Sequence, residues 1–329
     1  MTDMREQDFG IEIEMTGLTR EVAAAVIAGH FGTQARYAGE GYSMYRVRDG
    51  TGRDWKVMSD ASISTTRNGE SVEVVSPICQ YGDIGTIQEI VRELRSVGAE
   101  VNSSCGVHVH VNASPHNATT LRNIANIIAS KEDLLYKALK VDTNRLTYCQ
   151  KTDYRFLERL NQHPPKTLEQ VKKLWYGGVD ESDRHYASSR YHALNLHAVF
   201  SKGTIEFRCF NGTLHAGEIK ADIQLSLAIS HQALTQRSAH HTKTISSNEK
   251  YTFRTWLLRL GLIGDEFKTA RGHLLKHLDG DIAWRDPAQR EAQKQRLLER
   301  AQKEQAKTQT QQPQPMQAQT GEIRIQGGI

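Results

Sequence analysis

The segment GVHVHV, residues 106–111, alternates three valines with two histidines. Neighbouring side chains on a β-strand point to opposite faces, so this spacing predicts a strand with an apolar face and with His108 and His110 together on the other face. Such a strand packs its valines into a core. Two histidines on one face are metal ligands, contacts to phosphate or substrate, or hydrogen-bonded polar residues.

Two other short segments place acids in the same way. FGIEIEM, residues 9–15, puts Glu12 and Glu14 on one face, ~6–7 Å apart along the strand. Two carboxylates that face the same way repel each other, and a divalent cation with oxygen ligands relieves that repulsion. SVEVVSP, residues 71–77, carries Glu73 on a β-branched run. Taken singly, each acid also fits a solvated strand face.

A fourth segment, TIEFRCF, carries an acid and a guanidinium. Its alternation turns Ile205 and Phe207 toward a core and leaves Glu206 and Arg208 on the opposite face. The alternative interpretation is a surface ion pair, which contributes ~0–1 kcal/mol to stability.

Further candidates lie beside these strands. The upstream segment HALNLHAVF predicts a strand that joins TIEFRCF in a hairpin near Lys202 and Gly203. That hairpin would bring Asn195 or His197 near the polar face, with Arg190 beside it. In WKVMSDASI, Asp60 follows a predicted strand and is either a site residue or a former of the turn.

The four strand segments share one arrangement, with one apolar face and one face of acids, imidazoles or a guanidinium. If they adjoin in one sheet, their polar faces form a single site. That set of groups is typical of Mg²⁺ holding a polyphosphate, with arginine stabilising a transferring phosphoryl group. A zinc hydrolase would more often show HExxH or clustered Cys and His, and the sequence contains neither.

Helical patterns interleave with the strands and predict a mixed α/β core. Thr19 is predicted to cap one helix, and another begins after Asp83. Two helices are predicted next, one through Leu121 and a second opened by Ser130. A long helix over residues 216–237 closes this part of the chain.

Composition divides the chain further. Residues 1–240 are predicted to form the catalytic domain, in which the polar stretch 141–190 is an insert and a candidate lid. Residues 241–307 are predicted to be a helical extension. Residues 308–329 are rich in Gln and Pro, a composition that cannot bury a core, and are predicted to be disordered.

Several classes of protein are disfavoured. No apolar run approaches the ~18–20 residues of a membrane span, and the N-terminal residues lack the apolar region of a signal peptide. The four cysteines form no C-x-x-C pair and are expected to be reduced, which predicts a cytoplasmic protein. The formal charge of +4 is mild, so nucleic acid is not a required partner.

Six motifs in order resemble the amidoligase family: FGIEIE, WKVMSDASI, EVVSP, GVHVHV, RYHALNL and TIEFRCFNGT. The resemblance covers about residues 9–215, with Ala61 where glycine is expected. It implies an α+β fold related to glutamine synthetase and glutamate–cysteine ligase, in which an antiparallel sheet has helices packed on one side. It also implies that ATP and two or more Mg²⁺ ions bind on the sheet.

The resemblance implies roles for the residues that match its motifs. The implied metal ligands are Glu12, Glu14, Glu73, His108 and Glu206. The implied catalytic residues are Asp60, Arg208 and Arg190. The implied nucleotide and substrate contacts are His110, Arg208 and Asn195.

The implied reaction is ATP- and Mg²⁺-dependent formation of an amide or isopeptide bond through an acyl phosphate. Its partners would be a carboxylate and an amine, each a small molecule, a peptide or a protein. Two alternatives remain at this point: another ATP phosphotransferase, or a nucleic-acid- or protein-binding module that has lost catalysis. The Arg/Lys-rich helix over residues 285–307 motivates the binding alternative.

Overall fold

The computed structural model of the chain describes residues 3–39, 41–65 and 69–310. Residues 1–280 form one compact unit, and a second unit begins at Asp281. Residues 311–329, most of the Gln/Pro-rich tail for which the sequence predicts disorder, lie outside the described residues. None of the described helices has the length and apolar content needed to cross a membrane.

Within the described residues, eight strands form one antiparallel sheet in the order β2-β3-β4-β5-β1-β6-β8-β7. The strands that carry the predicted site residues lie in adjacent positions in that sheet. The bounds are β1 (Phe9–Met15), β2 (Ala35–Gly39), β3 (Met44–Arg48), β4 (Asp54–Met58), β5 (Val72–Val75), β6 (Gly106–Asn112), β7 (Leu194–Asn195) and β8 (Thr204–Asn211).

Ten helices accompany the sheet in the described part of the chain, which confirms the α+β class. Helices α1, α3 and α7 contact the strands directly. The bounds are α1 (Arg20–Phe31), α2 (Ile84–Ser96), α3 (Ala118–Leu139), α4 (Tyr154–Gln162), α5 (Leu168–Tyr176), α6 (His197–Ser201), α7 (Ala216–Thr235), α8 (Glu249–Arg259), α9 (Lys268–Leu275) and α10 (Pro287–Thr310).

Alternation along the central strands separates core from site. The apolar side chains of β1 and β6 are at most 2% exposed and belong to the hydrophobic core with α1, α2, α3 and α7. The residues between them face the opposite side of the sheet, as period two requires. The apolar set is Ile11, Ile13, Met15, Val107, Val109 and Val111.

Local signals define several helix starts. The Thr19 side chain accepts a hydrogen bond from the amide of Val22, which confirms the predicted cap of α1. The prediction of two helices after residue 117 is wrong, because α3 runs unbroken through Ser130. The Ser130 hydroxyl donates to the carbonyl of Ile127 at 3.0 Å, so it bonds within the helix and does not start a new one.

The predicted hairpin before β8 is also wrong. β7 has two residues and does pair antiparallel with β8, but α6 fills the connection. The Asn195 side chain accepts the amide of His197 at 2.9 Å, which turns the chain out of the strand and into the helix.

Candidate functional site

Strand register brings the predicted acids and histidines together. Glu12 on β1 lies opposite His108 on β6, and Glu14 lies opposite Glu73 on β5. Residues paired across antiparallel strands have Cβ atoms ~4.5–5.5 Å apart, so their side chains interact directly. The ligand atoms of Glu14, Glu73 and His108 lie within 4.8 Å of one another.

The row continues onto β8 and β7. His110 lies opposite Glu206, and Glu206 lies opposite Asn195. The ligand atoms of Glu12, His108 and Glu206 also lie within 4.8 Å of one another. His108 therefore belongs to two adjoining groups that could each hold a metal ion.

One side of this site is rich in positive charge. We call Glu12, His110, Lys202, Glu206 and Arg208 the cation-paired cluster, and Glu14 with Glu73 the acid pair. The two groups lie on the same sheet face, on either side of His108.

Glu206 is held as a carboxylate by its neighbours. Its Oε1 accepts from the guanidinium of Arg208, and its Oε2 accepts from Nδ2 of Asn195 at 2.6 Å. Burial by itself raises the pKa of Glu206, but the charges of Arg208 and the nearby imidazoles lower that pKa to about 2.

Glu12 is similarly surrounded. Nδ1 of His108 is 3.1 Å from Oε2, and Nζ of Lys202 is 3.3 Å from Oε1. Nε2 of His110 lies 3.2 Å from Oε1 in a geometry that forms no hydrogen bond. Burial raises the pKa of Glu12, but these neighbours together bring it well below its usual value.

The acid pair has far less compensation. Glu14 is 3% exposed, and its Oε2 accepts the amide of Gly106 at 2.6 Å. Burial raises the pKa of Glu14 to about 7. Glu73 is 8% exposed, and the described residues offer its carboxylate no hydrogen bond or ion pair. Burial, together with the charges of Glu12 and Glu14, raises the pKa of Glu73 well above its usual value.

His108 is suited to metal ligation. Burial and the charge of Arg208 lower its pKa to about 4, so the imidazole is neutral at pH 7. With its proton on Nδ1, it donates to Glu12 and directs the Nε2 lone pair toward Glu14, whose Oε1 is 3.7 Å away.

A β-bulge on β8 positions Arg208. The register shifts between Val107 and Val109, so that two residues of β8 face one residue of β6. The buried Arg145 binds this bulge by donating to the carbonyls of Phe210, Cys105 (3.2 Å) and Arg208 (3.3 Å).

Sequence reasoning missed Arg145 and Lys202 as site residues. Arg145 binds carbonyls of residues that are distant in the sequence, and no local sequence pattern predicts such contacts. Lys202 was assigned to a hairpin turn, although its position two residues before β8 was a usable signal.

Asp60 and Arg190 lie at the edges of the site. Asp60 forms the predicted turn, since its Oδ1 accepts the amide of Ser62 at 2.6 Å. Within the described residues it forms no hydrogen bond with the acid pair, but its charge raises the pKa of both acids. Arg190 donates to the carbonyl of His185 at 2.7 Å.

Two cavities flank the cation-paired cluster and share Lys202. The first, of about 470 Å³, combines Glu12, His110 and Lys202 with an apolar lining that includes Pro77 and Ile78. The second, of about 320 Å³, is lined by Arg190, Asn195 and Glu206 among others, and residues 182–185 of the predicted insert complete it.

The residues present fit a divalent cation. Four carboxylates and a neutral imidazole converge, and oxygen-rich sets of this kind are typical of Mg²⁺ or Mn²⁺. The acid pair supplies the strongest indication, because two buried carboxyl groups with little compensation are stabilised as anions by a nearby cation.

Comparisons with known proteins place the chain in a family. The family described as "Putative amidoligase enzyme" matches residues 5–230, more than half of the chain. A search of curated proteins found no match. The family match spans every strand of the site and confirms the resemblance seen in the motifs. The chain therefore belongs to the amidoligase family.

Proposed function

We propose that this chain is an ATP- and Mg²⁺-dependent ligase that joins a carboxylate to an amine through an acyl phosphate. The observation that carries the proposal is the acid pair, which is buried with no Arg or Lys ion pair among the described residues and lies beside a cluster that contains Lys202 and Arg208. The acid pair suits a metal ion, and the cations of the cation-paired cluster suit phosphate. Together the two groups suit a metal–nucleotide complex.

The proposed metal ligands are Glu12, Glu14, Glu73, His108 and Glu206. Bound Mg²⁺ would neutralise phosphate oxygens and so assist phosphoryl transfer. The proposal also assigns this sheet to the glutamine synthetase-like catalytic fold, in which such ligands lie on one face of an antiparallel sheet.

The chain's own cations would complete the charge balance. Arg208 is 5% exposed and fixed by Glu206 and the Arg145-bound bulge, so it is preorganised to stabilise charge on the transferring phosphoryl group. Lys202 and His110 line the apolar cavity, where we place the nucleotide.

The second cavity would hold the carboxylate substrate, with Arg190 and Asn195 at its wall. The substrate carboxylate attacks the γ-phosphoryl group and ADP leaves. The amine then attacks the acyl carbonyl, phosphate leaves, and Asp60 accepts the amine proton. Residues 182–185 of the insert, which line this cavity, would help to keep water from the acyl phosphate.

Nucleotide binding is tested by thermal unfolding with Mg²⁺-ATP. A ligand at 100 times its dissociation constant stabilises a protein by ~2.7 kcal/mol, which a melting curve resolves. We expect a rise for the wild type and none for Arg208→Ala or for the double variant Glu12→Gln/Glu14→Gln. Glu89→Gln, an exposed change on α2, is the matched control and should retain the rise. Equal rises in all four proteins would contradict the proposed site.

The reaction class is tested by trapping. Hydroxylamine should replace the amine and convert the acyl phosphate into a hydroxamate, with release of ADP, when a panel of carboxylates is supplied. ADP release without hydroxamate would favour a phosphotransferase that stops at a phosphate ester. Nucleotide binding without ADP release across the panel would count against catalysis.

A further inference from the structure

A second group of metal-ligating side chains lies away from the sheet site. His215 precedes α7, Glu218 lies in its first turn, and His273 lies on α9. The ring centroids of the two histidines are 4.9 Å apart, and Nδ1 of His273 is 3.7 Å from Oε1 of Glu218. The ligand atoms of all three lie within 4.8 Å of one another.

A cavity of about 190 Å³ adjoins this group and is lined by Glu218, His273 and Asp222. Asp222 is 6% exposed, and no donor in the described part of the chain is hydrogen-bonded to its carboxyl group. A buried acid without a partner is costly, so its position at the cavity wall indicates a missing ligand. Asp222 lies one helical turn after Glu218 on α7, which puts both on the same helix face.

Local contacts already orient Glu218. The hydroxyl of Thr213 donates to its Oε2 at 2.6 Å, as outer groups commonly do for metal-bound carboxylates. Its Oε1 accepts from Nζ of Lys276. The Lys276 side chain is 42% exposed, so its ammonium can move into solvent when another cation binds.

We propose that His215, Glu218 and His273 bind a divalent transition-metal ion of the Zn²⁺ class, with Asp222 facing the ion from the cavity. Two imidazoles and one carboxylate are a common zinc ligand set that leaves a fourth position, whereas Mg²⁺ prefers oxygen ligands. The ion would link α9 to the start of α7, directly after the strand that carries Glu206 and Arg208. The proposal is independent of the reaction at the sheet.

Co²⁺ is the probe, because it takes zinc sites and its visible absorption reports nitrogen ligation. The full chain is treated with chelator and titrated with Co²⁺ in excess Mg²⁺. Two variants remove imidazoles: His273→Gln, and His215→Asn, which keeps a side chain able to cap α7. His277→Ala, at the same cavity but outside the group, is the matched control.

We expect His273→Gln and His215→Asn each to lose one equivalent of bound Co²⁺ and its absorption, while the control retains both. Lys276→Met should bind Co²⁺ about tenfold more tightly, since a neighbouring positive charge is removed. Unchanged Co²⁺ stoichiometry in both histidine variants would overturn the proposal. So would Co²⁺ binding that disappears only in Glu12→Gln/Glu14→Gln.

Discussion

Glu12 and Glu14 lie two residues apart on one strand and face the same side of the sheet, yet their pKa values shift in opposite directions. Glu12 belongs to the cation-paired cluster, and its pKa is well below the usual value. Glu14 belongs to the acid pair, and its pKa rises to about 7. The difference lies in their neighbours: imidazoles and Lys202 contact Glu12, whereas Glu73 lies opposite Glu14.

This contrast separates two kinds of charged group in one site. The cation-paired cluster is electrostatically complete in the protein alone, so it can be preorganised before any ligand binds. The acid pair is strained in the protein alone, and a bound cation relieves that strain. Loss of a charge from the cation-paired cluster should therefore destabilise the metal-free protein. Loss of a charge from the acid pair should stabilise it and weaken metal binding.

Removal of Arg208 should have the largest effect on stability, because it takes the main cation from the cation-paired cluster. Arg208→Met leaves the Glu206 carboxylate buried without its main cation, and loss of one partner of a buried pair costs ~3–5 kcal/mol. Urea unfolding of the metal-free protein measures the change. Lys202→Met is the matched control, because that side chain is 50% exposed and should cost only ~0–1 kcal/mol. Equal losses of unfolding free energy in the two variants would contradict the expectation that the buried cation matters more than the half-exposed one.

The second expected effect is a pH dependence. The folded pKa of Glu14, about 7, exceeds its usual value of 4.5, so the folded state binds this proton more tightly than the unfolded state. Its stabilising contribution is therefore complete below about pH 4.5 and is lost as the pH rises through about 7. Glu206 behaves oppositely, because its contribution is present above 4.5 and is lost only as the pH falls through about 2.

As the pH rises from about 4.5 to about 7, the metal-free protein should thus lose about 3 kcal/mol of unfolding free energy through Glu14. Urea unfolding across this pH range measures the loss. Stabilisation by Mg²⁺ should increase over the same range, because ligands bind the ion as carboxylates. In Glu14→Gln the loss should be smaller. A stability that rises with pH through this window would contradict the assignment.

A smaller effect of opposite sign is expected from a change in the acid pair. Glu73→Gln removes a buried acid that has no hydrogen bond or ion pair among the described residues, and should stabilise the metal-free protein at pH 8. The same change should weaken stabilisation by Mg²⁺. Glu206→Gln is its matched opposite and should destabilise, because it leaves Arg208 without its carboxylate. Melting curves with chelator and with Mg²⁺ separate these outcomes.

Much of this site could be predicted from the sequence, because period two is a local property of a strand. The alternation in FGIEIEM and GVHVHV was sufficient to identify which side chains leave the core. Helix caps such as Thr19 could also be predicted, because a cap depends on residues within one helical turn. The family motifs lie on these same strands, and the family match agrees with them.

The contacts among these groups depend on the tertiary structure. The pairing of Glu14 with Glu73, and of Glu12 with His108, depends on register between strands distant in the chain. The β8 bulge held by Arg145 depends on carbonyls from two distant segments, Cys105 before β6 and Arg208 with Phe210 on β8. A carboxylate's pKa depends on burial and on charges within a few ångströms. The sequence therefore predicted the acids, but the fold alone divided them into the cation-paired cluster and the less compensated acid pair.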